Sequence, residues 1–218
     1  MITIESNSLK KAITEINKNW GYLTPDVLDT AIARALNRTA YMGKTEANKN
    51  IRNNYNIGVS QVNKAFNLRN ANKRNLEASI IASGAPLSWN NFQAKQIKGN
   101  TSTSFNRKGV ASSRLNRKAA KNANKGVTAI IKKGESVNLP TAFIQVANGG
   151  ITVFARGKYN SSGKGLEFSK ERLPIAKIST TSIPLMFIGN DVMKPTINKT
   201  DDVLQKQIEH EIMFILSK

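Results

Sequence analysis

Apolar residues recur at helical spacing in two parts of this chain and alternate with polar ones in a third. Val27, Leu28, Ala31, Ile32, Ala35, Leu36 and Ala40 form one apolar stripe of the kind an amphipathic helix buries. Thr24 suits the N-cap, Pro25 the first helical position, and Asp26 and Asp29 the positive end of the helix dipole. The spacing predicts a helix from residue 24 to about 53, where Asn53, Asn54 and Gly58 offer a stop. A second long pattern closes the chain: Val203, Leu204, Ile208, Ile212, Ile215 and Leu216, with Thr200 as the expected cap and Asp201 and Asp202 in the first turn. Shorter helices are expected over residues 9–18 and 60–66.

Between these lies a sheet segment. Phe143, Ile144 and Val146 precede Asn148-Gly149-Gly150, after which Ile151, Val153 and Ala155 alternate with Thr152 and Phe154. An Asn-Gly turn tolerates positive φ at both central positions, so it predicts a β-hairpin. Pro140, Pro174 and Pro184 cannot donate to a ladder and are expected at strand ends or edges. Residues 76–83 and 127–132 read as further strands, and 86–89 as a short extended piece. Residues 98–125 change character: Ser, Thr, Asn and Gly dominate, with Phe105, Val110 and Leu115 the large apolar side chains. That composition predicts a flexible arm or long loop inserted between strands. The sequence thus predicts a single α+β domain over 1–218, with an antiparallel sheet packed on the two long helices.

At 218 residues with 39% hydrophobic content, the core is expected to be thin and completed by neighbouring subunits. There is no cysteine, which excludes disulfides and thiolate chemistry. The first residues lack the basic-then-apolar pattern of a signal peptide, and no apolar run reaches the ~20 residues of a membrane span.

Charge adds the most. The formal net charge is +19, and from Ala47 to Gly134 there are seventeen Lys and Arg against one acid, Glu77. Residues 1–46 carry six bases and five acids, and 135–218 ten and eight. The excess sits in the middle and favours a polyanionic partner. Tyr55, Phe66, Trp89, Phe92 and Phe105 fall in this zone, but Phe66, Trp89 and Phe92 follow core patterns, leaving Phe105 as the exposed candidate for base stacking.

Catalytic constellations are missing. Gly157 and Gly163-Lys164 are spaced one residue too widely for a phosphate loop, and Gly165 replaces the hydroxyl that would reach magnesium. His210 is a single histidine, read as a surface or interface residue, and Asp26, Asp29, Asp201 and Asp202 stand at expected helix starts, leaving fewer carboxylates for a metal-dependent site. No enzyme activity, cofactor, metal or small-molecule ligand is expected.

The order of pieces carries a resemblance. The run Leu139-Pro140-Thr141-Ala142-Phe143-Ile144, the Asn148-Gly149 turn, Val153 to Arg156, Leu173-Pro174-Ile175 with Lys177, and Pro184 are followed by the closing helix. Together with Ala31 to Ala40 in the first helix, this resembles the prophage minor tail protein Z family of tailed bacteriophages. Here the arm is richer in Asn, Ser and Thr than the Arg-dense middle segment of that family. The resemblance implies a virion structural protein, assembled in the host cytoplasm, that completes the tail at its head-proximal end. It further implies a fold similar to phage tail-terminator and neck proteins, and a homo-oligomeric ring, hexameric by preference, around the DNA conduit. On that reading Arg107, Lys108, Arg114, Arg117, Lys118, Lys121 and Lys125 contact acidic surfaces of adjacent neck or tail proteins, with the DNA backbone as second choice. The alternative is a non-specific nucleic-acid-binding protein using 47–134, although no helix-turn-helix, zinc-finger, RRM or KH signature is present.

Overall fold

The computed structural model describes residues 25–98, 101–105, 110–115, 126–147, 150–159, 166–169 and 171–217. The fold is α+β, with antiparallel strand pairing throughout the named sheets. Its residues gather into two compact units, one of 1–52, 59–84 and 183–218, the other of 53–58 and 85–182.

The first unit is built on two long helices, α1 (Pro25–Asn54, whose last two residues group with the second unit) and α4 (Asn190–Leu216). Between them in sequence come α2 (Val59–Ala65), the antiparallel pair β1 (Phe66–Arg69) and β2 (Ser79–Ala82), and α3 (Ile183–Ile188). The two apolar stripes meet: Ala35 of α1 packs with Leu204, Ile208 and Ile212 of α4, and Leu28 and Leu36 close over them. Further along, small and hydroxyl-bearing residues let the helices approach. A Cβ on Gly43 would lie 3.0 Å from Thr200 Oγ1, and Asn50 Nδ2 donates to Thr196 Oγ1 at 3.1 Å. Phe66 and Phe187 meet edge to face at 5.2 Å between ring centres, a favoured aromatic geometry.

Two features of the family-like helix run are joints. Asn37 grips the backbone of Ala71 at both ends, with Nδ2 donating to the carbonyl at 3.0 Å and Oδ1 accepting from the amide at 2.7 Å. Arg38 Nη1 lies 3.1 Å from Oε1 of Glu211, whose side chain is 9% exposed. Asn37→Ala would leave the buried Ala71 amide and carbonyl without these partners. The expected loss is about 1–3 kcal/mol, read by thermal unfolding. Asn37→Asp keeps the acceptor, loses the donor and should fall between parent and Ala variant.

α4 starts ten residues before the expected cap. Thr200 is a buried residue inside it, with Oγ1 donating to the Thr196 carbonyl at 2.6 Å, while Asp191 and not Asp201 or Asp202 occupies the first turn. The physical reason is packing: Val192, Thr196 and Thr200 repeat every fourth residue and are all buried, so tertiary contact extends the helix past Pro195, which removes one ladder bond near its start. Pro184 is corrected too. It is the second residue of α3, a first-turn position that needs no backbone donor, and not a strand end.

The second unit holds two sheets. One has strand order β10-β9-β11 with β8 also on β9: β8 (Ala142–Ala147), β9 (Gly150–Tyr159), β10 (Leu166–Phe168) and β11 (Ile175–Lys177). β8 and β9 form the hairpin expected around 148–149, which themselves lie outside the described residues, and Phe143 stacks on its cross-strand partner Phe154 at 5.9 Å. Gly157 belongs to β9. Its φ is 139° and a Cβ there would lie 2.0 Å from the Glu167 carbonyl oxygen, so only glycine lets β10 approach. Pro140 falls between β7 (Val137–Leu139) and β8, and Pro174 just before β11, as strand ends should. The other sheet has the order β5 (Ala111–Leu115), β4 (Thr101–Phe105), β3 (Lys95–Lys98), β6 (Gly126–Ala129), β7. The expected helix over residues 9–18 lies outside the described residues.

Candidate partner-contact surface

The five-stranded sheet comprises β3 (Lys95–Lys98), β4 (Thr101–Phe105), β5 (Ala111–Leu115), β6 (Gly126–Ala129) and β7 (Val137–Leu139). The segment read as a flexible arm therefore contains two paired strands. Five consecutive residue pairs join β4 to β5, from Thr101 with Leu115 to Phe105 with Ala111. The reason is local: Thr101 and Thr103 are β-branched, and short hydroxyl side chains pair well across strands. Thr103 Oγ1 and Ser113 Oγ share a hydrogen bond at 2.8 Å.

Alternation along each strand sorts the side chains onto two faces. One face carries Gln96, Thr103, Ser113, Val127 and Leu139 in register, and its buried end is Val127 with Ala129. Gln96 fixes that end: Nε2 donates to the Gly126 carbonyl at 2.9 Å and Oε1 accepts from the Ile144 amide at 2.8 Å, joining β3 to β6 and β8. The other face carries Lys95, Ser104, Ser112 and Thr128 in one row and Ile97, Ser102 and Arg114 in the next. None of these residues is buried, and Lys95, Ser112 and Arg114 are exposed.

This outer face is cationic by composition. None of the five strands contains Asp or Glu, and between residues 78 and 166 the sequence has one carboxylate, Glu135. Of the seven expected contact cations, Arg114 lies on this face; Arg107, Lys108, Arg117, Lys118, Lys121 and Lys125 lie outside the described residues. The structure adds Lys95, which sequence reading left just before the polar segment. The alternation of Thr and Ser from 101 to 104 was the available signal that the sheet continued there.

Elsewhere the expected roles are simple. Phe66, Trp89 and Phe92 are buried, Phe105 is half-buried, and His210 is exposed on α4. Among the described residues there is no group of His, Cys, Asp and Glu able to hold a metal ion, and no helix long and apolar enough to cross a membrane.

Comparison with curated proteins and with solved structures returned no match. The family model of prophage minor tail protein Z matches residues 7–218, nearly the whole chain, and the protein belongs to that family of phage tail structural proteins, components of the virion.

Proposed function

We infer that this protein is a tail-completion protein, forming a homo-oligomeric ring at the head-proximal end of the tail and taking part in head–tail joining around the DNA conduit. What supports this reading is family membership combined with an edge that invites a neighbour. Among the described residues β5 is bonded to β4 alone, and its residues from Ala111 to Arg114 are exposed. An unpaired, regular edge strand is a template for pairing with another chain. Six subunits are the preferred ring order. Neighbouring neck and tail proteins are the expected partners, reached through the cations that flank Arg114 in sequence.

Mass measurement of the purified chain and of tails carrying it tests the ring. The expected result is one defined oligomer in which each subunit buries more than about 1,000 Å² in total against others. A chain that stays monomeric in solution, and is present as single copies in tails, would remove the ring. For head joining, the variant in which Arg107, Lys108, Arg114, Arg117, Lys118, Lys121 and Lys125 are all changed to Gln is expected to form tails that fail to join heads. Joining at the parental yield would reduce these cations to a solvated surface.

A further inference from the structure

We propose that the outer face of the five-stranded sheet binds the phosphate backbone of duplex DNA without regard to sequence, with Lys95 and Arg114 supplying the charge and the exposed Ser112 hydroxyl a flanking donor. The inference rests on the tail-completion reading and names the partner of its basic surface.

Three observations carry it. The first is charge: two exposed cations stand on a face whose strands contain no carboxylate, so no acid of these strands repels an anion. The second is donor chemistry. Ser, Thr, Lys and Arg side chains are the usual makers of phosphate contacts, which position a protein on nucleic acid and carry no sequence information. Here they occupy aligned rows, with Ser104 and Ser112 paired beside Lys95, and Ser102 paired to Arg114. The third is what the face lacks. Protein–protein interfaces centre on aromatic, Met and other apolar anchors, whereas Ile97 is the one large apolar residue in these rows, and it is half-buried in the sheet. That composition favours phosphates over an acidic protein.

Register sets the reach. Arg114 and Lys95 lie two strands and one two-residue step apart, which is about 12 Å from ordinary strand spacing and rise. Each therefore meets a different phosphate, as a duplex carries one charge per ~1.7 Å of axis.

The test uses the full chain, short duplexes of unrelated sequence, and fluorescence anisotropy between roughly 50 and 200 mM salt. The parent is expected to bind all duplexes alike. Lys95→Gln with Arg114→Gln should weaken binding equally for every duplex and flatten the log–log salt dependence by about 1.8, at roughly 0.9 per phosphate lost. Lys95→Arg with Arg114→Lys should behave as the parent, and so should Lys194→Gln with Lys206→Gln on α4, where both cations are also exposed. An unchanged slope in the double Gln variant overturns the proposal. So does loss of binding to purified tail proteins with DNA affinity intact, which would make the face a protein-docking surface. Mass of the same samples separates this from the ring: a ring that ignores DNA overturns the DNA contact alone, and a monomer that binds DNA overturns the ring alone.

Discussion

Ile212→Asp is expected to lower the stability of the helical unit by about 4 kcal/mol, combining lost burial of a large aliphatic side chain with the penalty of an unpaired buried carboxyl group. Ile212 is 5% exposed and packs with Ala35, Leu204 and Ile208. No cation is part of that cluster, so the new carboxyl group gains nothing from the cluster itself. At ~2–4 °C per kcal/mol for a chain of this size, the melting point should fall by roughly 10 °C. The neighbouring His210→Asp supplies the control. His210 is exposed, and a surface substitution should stay within about 0.5 kcal/mol. Equal melting of Ile212→Asp and parent would mean that α4 does not depend on this contact. Because α1 supplies Ala35 and the Ala31 to Ala40 run, the same variant should also weaken incorporation into tails.

The sequence made such a test possible because long helices announce themselves. Pro25 and Asp26 with the stripe that follows point to α1, and the stripe from Leu204 to Ile212 points to α4; the cap expected at Thr24 lies outside the described residues. Periodicity is a local property and survives in one dimension. Hairpins with an Asn-Gly turn share that advantage, as the β8–β9 register shows. What was misread depended on distant groups. Thr200 looked like a cap because nothing local reveals that it faces Gly43, and α4 starts earlier because Val192 and Thr196 are buried by the rest of the unit. The side-chain amides of Asn37 and Gln96 bind backbone groups 34 and 48 residues away, a separation at which no pattern in a single sequence points to the partner. The Arg38–Glu211 pair spans 173 residues and was hidden for the same reason.

The candidate surface was legible in charge and not in shape. An excess of cations with one acid between 47 and 134 can be counted. Whether they decorate a loop or a sheet turns on weak strand preference. Ser and Thr serve in loops and in strands, and apolar alternation, the usual marker, is missing from Thr101 to Ser104 because no core covers β4 and β5 deeply. The strands persist because β4 pairs on both sides, with β3 and β5. Extension of a sheet by polar strands in this way places Arg114 in register with Ser102 and makes a defined face from what composition describes as an arm.

That face depends on one residue with no side chain. Gly126 opens β6, is buried, and has φ of 105°, a conformation L side chains rarely adopt. A Cβ there would lie 2.0 Å from the Leu139 carbonyl oxygen and 2.7 Å from two backbone atoms of Pro140. These are backbone atoms at the end of β7, so no rotamer change relieves the clash. Gly126 also gives its carbonyl to Gln96 and its register position to Ile97. Gly126→Ala is therefore expected to combine backbone strain of about 1–3 kcal/mol with an overpacking penalty of similar size, and to unseat β6 and β7 from β3. Gly134→Ala separates the two effects. Its φ is 87° but a Cβ would meet nothing within 4 Å, so conformational strain alone remains, about 1–2 kcal/mol. Urea unfolding of both variants checks the difference. The Gly126 variant should unfold at distinctly lower urea than the Gly134 variant and lose the DNA affinity assigned to the sheet, while Gly134→Ala keeps it. If the two variants unfolded together, the close approach of β6 to the β7–β8 connection would not be holding this sheet in place.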